Sequence, residues 1–193
     1  MSAWPPTHLP TPYSVAEFAQ QAMAAAQLHA AGQIERCRQT LLEPARRLMA
    51  RDDLTELGLP RPGNNVAESW YLYYDTYLSI ILFKVPESPA VQPHDHGNWE
   101  TLFVYRGQVR HRVYERLDDG SQAGRAQLRE CASGVLQPGD FAFVAPPQDI
   151  HGFEALDDQT YGITVSAGPY KSERTYYNLA EGTCELRRPR TLR

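Results

Sequence analysis

Cysteine is scarce: Cys37, Cys131 and Cys184 are the only three in 193 residues, and they lie far apart. That spacing excludes a disulfide framework and any CxxC zinc or redox motif. Long apolar runs are missing as well. No stretch approaches the roughly 18 apolar residues that a membrane helix needs, and Met1 to Pro10 lacks the basic segment and apolar run of a secretory signal. A cytoplasmic protein with no membrane partner is the expectation. There is no excess of positive charge either. Nineteen basic against 23 acidic residues give a net charge of -4, so nucleic acid is not an expected partner. Lysine is nearly absent, Lys84 and Lys171 being the only two.

What remains is enough for one domain with a short appendage, since 42% of the residues are hydrophobic. The opening MSAWPPTHLPTP carries four prolines and no periodicity, which predicts an extended arm. Ser14 and Glu17 have capping-box spacing, with Tyr13 and Phe18 placed as a hydrophobic staple, so a helix is expected from there to about Ala31, stopped by Gly32. Ile34, Cys37, Leu41, Leu42, Ala45, Leu48 and Met49 keep a helical period, and Pro44 is expected to kink or split that second helix. Asp53 and Glu56 suggest a further short turn, and GLPRPGNN, Gly58 to Asn65, is the clearest break in the chain. Residues 1–65 are thus expected to form an arm and helical segment packing on a β domain, 66–193.

After the break, short runs of tyrosine, valine, isoleucine and phenylalanine are punctuated by glycine, proline and aspartate. Strands are expected near 69–75, 77–85, 91–96, 100–106, 108–117, 125–130, 133–137, 140–145, 151–156 and 160–167, with one more after Arg174 and a solvated basic tail. An antiparallel barrel or sandwich accommodates that count.

The histidines carry the chemistry. In Pro93-His94-Asp95-His96-Gly97-Asn98-Trp99-Glu100, residues two apart on a strand share a face, so His94 and His96 can offer two imidazole nitrogens to one point while Asp95 faces away. Gly97 permits a bend, and Glu100 can return a carboxylate to the same point, with Leu102 and Val104 as apolar walls. Pro138-Gly139-Asp140 is a turn signal, and the apolar strand after it leads through Pro146-Pro147 to His151, the candidate fourth ligand. Three neutral imidazoles and a carboxylate suit Fe(II), Mn(II), Ni(II), Co(II), Cu(II) or Zn(II).

The spacing His94-x-His96-x-x-x-Glu100 with Gly107 closing resembles the first signature motif of the cupins, with Ser88 in place of its opening glycine. The second motif is matched by Pro146 and His151, while Gln148 and Ala155 stand where glycine and asparagine are expected. The resemblance spans residues 66 to 170 and implies a mainly β, double-stranded β-helix (jelly-roll) barrel with a metal near one mouth. The helical N-terminus, Tyr73-Tyr74-Asp75, PHDHGNW, DIHGF and RTYYNLAEG further resemble the cysteine dioxygenase-like branch. That resemblance implies Fe(II) held by His94, His96 and His151, a small anionic substrate such as a thiol acid, O2 as co-substrate, and Arg174 as a carboxylate clamp, with Tyr170 near the mouth. Glu100 is a departure from the branch, and Thr164-Val165-Ser166-Ala167-Gly168 lacks the histidine and tyrosine of its Ser-x-His-x-Tyr triad.

Three alternatives stand beside this reading. Glu100 as a ligand resembles dioxygenases that cleave enolates or flavonols; a non-redox isomerase or hydrolase would use Zn(II); a binding module would have no turnover. His8, His29 and His111 are expected to be structural, though alternation with Val109 and Val113 points His111 inward. Arg110, Arg112 and Arg116 mark a solvated face, and Asp149 is a turn residue before it is an orienter of His151. The aromatic run Trp70, Tyr71, Tyr73, Tyr74 and Tyr77 suits sheet packing and a homodimer interface.

Overall fold

The computed structural model describes residues 12–61, 68–168 and 173–188. His8, Tyr170, nearly all of the proline-rich arm and the end of the basic tail lie outside the described residues.

The first helix, α1 (Val15–Ala30), starts on a complete capping box: the Ser14 side chain accepts from the Glu17 amide at 3.1 Å, and the Glu17 carboxylate accepts from the Ser14 amide at 2.8 Å. It ends where Gly32 turns the chain at φ +73°. Its buried stripe is Phe18 followed by alanines, Ala19, Ala22, Ala25 and Ala26. Such small side chains let α2 (Ile34–Met49) pack closely through Cys37, Leu41, Ala45 and Leu48. Pro44 does not split α2, which runs unbroken through it. Proline inside a helix costs about 3 kcal/mol, but Leu41, Ala45 and Leu48 flank it on a stripe that is almost fully buried, and that packing holds the helix continuous. A single turn, α3 (Leu54–Leu57), buries Leu54.

The strands are β1 (Leu59–Pro60), β2 (Ser69–Tyr74), β3 (Leu78–Lys84), β4 (Val91–His94), β5 (Glu100–Arg106), β6 (Val109–Arg116), β7 (Leu128–Leu136), β8 (Phe141–Val144), β9 (Ile150–Ala155), β10 (Tyr161–Ala167), β11 (Arg174–Asn178) and β12 (Thr183–Arg187). They form two six-stranded sheets, ordered β1-β2-β3-β10-β5-β8 and β12-β11-β4-β9-β6-β7. Every pairing is antiparallel. The core orders β3-β10-β5-β8 and β4-β9-β6-β7 are those of an eight-stranded jelly roll, so the expected mainly β barrel with an N-terminal helical segment is present. Two details differ from the sequence reading. Residues 125–130 and 133–137 contribute to one strand, β7, because Gly134 simply pairs opposite His111 and makes no turn. After Arg174 there are two strands, a β11–β12 hairpin.

The first sheet is covered on both sides, which is why β5 is buried along nearly its whole length. Ile80, Leu82, Phe103, Tyr105, Ile163 and Val165 lie under the helices, in one cluster with Phe18 and Leu41. The alternate residues Phe83, Leu102 and Val104 face the barrel interior, with Val109, Phe153 and Ala155 from the second sheet. Among the described residues no helix is long and apolar enough to cross a membrane.

Gly107 closes the β5–β6 turn at φ +72°, and a Cβ there would lie 2.7 Å from the Thr160 Cα. Gly107→Ala is therefore expected to cost roughly 1–3 kcal/mol from the left-handed backbone alone, plus displacement of the Thr160 loop, as a lowered midpoint in urea unfolding. A midpoint within error of the parent would show that the turn relaxes freely.

Candidate metal centre

Three antiparallel strands of the second sheet bring the donors together. In β4 and β9, His94 pairs with His151, and on the far side of β9, Val113 of β6 pairs with His151. Side chains directly opposite across strands share a face, so His94 and His151 both point into the barrel. Gly152 makes this closeness possible: a Cβ there would sit 2.9 Å from the Val91 carbonyl oxygen.

His96 reaches the same point by another route. The strand expected to run to 96 stops at His94, and His96 lies in the turn that follows. That turn is pinned by Asp149, whose Oδ2 accepts from the amides of His96 at 3.1 Å and Gly97 at 2.6 Å. Asp149 is thus more than a turn residue. It couples the His94-Asp95-His96 turn to the segment entering β9, and so orients two candidate ligands at once. Asp95 faces away, as expected, where its carboxylate accepts from the Thr175 amide at 3.0 Å and ties β11 to the site.

The result is a cluster of three buried imidazoles. One ligand nitrogen each of His94, His96 and His151 can be chosen so that all lie within 4.8 Å of one another. His96 Nε2 and His151 Nε2 approach to 3.0 Å. Two adjacent nitrogens bound to one ion at about 2.1 Å would be separated by about 3 Å at right angles, so the spacing fits a shared divalent ion. The chemistry of the donors fits as well, because coordination requires neutral imidazole. Burial pushes the His94 ring down to about 4, against the opposing pull of the Gln92 carbonyl. Burial, reinforced by the neighbouring rings of His94 and His111, holds His151 well below its ordinary value.

The outer nitrogens of His94 and His151 both have partners. His94 Nδ1 lies 2.9 Å from the Gln92 carbonyl oxygen, which fixes the proton on Nδ1 and frees Nε2. His151 Nδ1 lies 3.0 Å from His111 Nε2. For His151 to offer Nε2, its Nδ1 must donate to His111, a tautomer assigned by that requirement. The expectation that His111 is merely structural is therefore corrected: its strand alternation carries it inward to brace a candidate ligand. His111→Leu is expected to weaken metal binding roughly 10–100-fold with the fold retained, as measured by equilibrium dialysis. Unchanged affinity would reduce His111 to packing. His29, by contrast, packs on Trp99 outside the barrel, with ring centroids 5.7 Å apart.

Glu100 enters from the opposite sheet, on β5, where its cross-strand neighbours are Ser166 and Val144. Its carboxylate oxygens lie 3.5 Å from His96 Nδ1 and 3.8 Å from His151 Nε2, at the edge of the imidazole cluster. Burial pushes this carboxyl up to about 7, with Arg174 and then Arg61 pulling it down. Arg174 lies on β11, two residues from Tyr176, which pairs with His94 and stacks on its ring at 5.3 Å. Arg61 was not singled out in the sequence, since it falls inside the Gly58–Asn65 break. On the outside of the second sheet, Arg110 and Arg112 both bond Glu154, as a solvated face should, at 3.0 and 2.9 Å. A separate groove of about 480 Å³ lined by Tyr114, Leu128 and Tyr177 contains none of the candidate ligands.

No protein-family model matches the chain, and no curated protein matches it in sequence. Solved structures resemble it over part of its length. KdgF from Halomonas sp. is 17% identical over 56% of this chain and 87% of that one, with a TM-score of 0.40. A cupin superfamily protein from Desulfitobacterium hafniense DCB-2 is 15% identical over 55% and 82%, with a TM-score of 0.38. Hydroquinone 1,2-dioxygenase from Sphingomonas sp. TTNP3, solved with 4-hydroxybenzoate bound, is 12% identical over 55% and 69%, with a TM-score of 0.44.

Proposed function

We propose that the chain is a metal-dependent cupin enzyme, a mononuclear non-haem Fe(II) dioxygenase acting on a small anionic molecule. The observation that carries this reading is the convergence of three buried imidazoles, His94, His96 and His151, on one point inside a jelly roll. Bound there, Fe(II) supplies a redox-active template for substrate and O2. The protein does the rest. Gln92, Asp149 and His111 fix the orientation of the ligands, and Leu102, Val104 and Phe153 wall the interior with apolar surface that excludes bulk water. Arg174, on the inward face of β11, supplies the guanidinium that holds a substrate carboxylate.

Glu100 supports a second reading for the same centre. Its carboxylate lies beside the imidazole cluster, 3.5 Å from His96 Nδ1 and 3.8 Å from His151 Nε2, and a carboxylate that completed the ligand set would favour cleavage of an enolate over oxidation of a thiol. Iron-loaded protein is expected to consume O2 with one member of a panel of small thiol acids and enolates. Label from 18O2 in a sulfinate supports thiol oxidation, and label in two carbonyl products supports carbon–carbon cleavage. Turnover with Zn(II) in the absence of O2 would overturn the redox assignment in favour of a non-redox cupin. Intact recovery of every compound tested would overturn the enzyme assignment.

A further inference from the structure

Most arginines with resolved contacts are matched by carboxylates: Arg51 by Asp53, Arg112 by Glu154, Arg116 by Asp118. Arg36, Arg47, Arg106 and Arg125 form no ion pair among the described residues and make other contacts instead; Arg61 and Arg174 also form none, but these two act on the candidate site. Both are half-buried, and both lie at the barrel interior, from opposite sheets. Arg174 shares the inward face of β11 with Tyr176, which stacks on His94. Arg61 follows β1, and its guanidinium lies 4.6 Å from the centre of the Tyr71 ring. Tyr71 pairs with Ile81, whose side chain packs among the interior residues. Arg61 therefore lies on the same face of the first sheet as Glu100. The Tyr71 ring supports the guanidinium from one side, which leaves its N–H donors to point elsewhere.

Both cations act on the buried Glu100 carboxyl, Arg174 more strongly than Arg61. Asp95 and Asp149 offset part of that positive charge, but two guanidinium groups offered from opposite sheets present two carboxylate-matching forks, and a monocarboxylate would engage only one of them. We infer that Arg61 and Arg174 form a two-point anion clamp, and that the substrate is a short dicarboxylate whose metal-binding group lies between its two charged ends. Each arginine offers a fork that matches one carboxylate. Arg61 is then the residue that selects dianions over monoanions.

The inference rests on the proposed metal centre for its catalytic meaning, but the clamp is measurable without turnover. The probes are malonate, succinate and glutarate against propionate, titrated calorimetrically into the full chain loaded with redox-inert Zn(II) and into the metal-free chain. At least one dicarboxylate is expected to bind about tenfold or more tighter than propionate. Arg61→Gln and Arg174→Gln are each expected to bring that dicarboxylate down to the propionate level with Zn(II) stoichiometry unchanged, and Arg61→Lys to restore part of the preference. The absence of any preference in the parent protein, or its survival in either glutamine variant, would overturn the clamp. Failure of the parent to bind Zn(II) would instead overturn the metal centre, while the metal-free titration still decides the clamp.

Discussion

His151→Gln is expected to abolish retention of the metal, with a loss of affinity well beyond the ~10–100-fold that removal of an outer-shell partner costs. The reason is positional. His151 is the central ring of the cluster: its Nε2 lies 3.0 Å from His96 Nε2, its Nδ1 lies 3.0 Å from His111, and it pairs across β4 with His94. Glutamine keeps much of the volume and can still bond His111, so the buried site is filled and the barrel stays folded. Its amide is a poor ligand for a divalent ion, however, and two imidazoles with Glu100 at the edge are left. Metal analysis after dialysis, alongside circular dichroism, reads the two effects separately. A folded variant that keeps parental metal content would remove His151 from the ligand set.

The largest effect on stability is expected at Trp99. It is 1% exposed and lies between the His94-Asp95-His96 turn and Glu100, but its ring faces the helices. There it stacks on Phe143 of β8 at 5.9 Å and meets His29 in the last turn of α1 at 5.7 Å. Trp99→Ala is expected to cost ~3–5 kcal/mol in urea unfolding. Because the helices and the first sheet share one cluster, the loss should appear as a single transition shifted to lower urea. Metal content measured far below the transition is expected to stay near parental, since the ring faces away from the imidazoles. A loss under 1 kcal/mol, or a separate helical transition, would contradict the shared core.

Much of this architecture is legible in the sequence, for reasons that differ from element to element. Ser14 with Glu17 specifies a helix start through local hydrogen bonds alone, and the structure contains both. The alternation around Glu100, Leu102 and Val104 is likewise local, and it puts the carboxylate and its apolar walls on one face. The split allowed for at Pro44 does not happen, because the rule for an interior proline is local, whereas the packing that retains the helix comes from α1. The extent of β4 misleads for a similar reason. The end of that strand at His94 and the turn holding His96 depend on Asp149, more than fifty residues away in sequence. His111 and Arg61 could not be assigned from sequence, since one acquires its role by meeting His151 across a sheet and the other by lying on Tyr71. A signal existed for His111 in its alternation with two valines. None existed for Arg61, which a Gly- and Pro-rich stretch disguises as loop.

The central claim is that His94, His96 and His151 hold one divalent ion. Binding of Fe(II) under anaerobic conditions, followed by X-ray absorption at the iron edge, tests it most directly. The account predicts about one ion per chain with three imidazole nitrogens at roughly 2.1 Å. Substoichiometric binding that survives His151→Gln, or an iron environment without imidazole scattering, would contradict it.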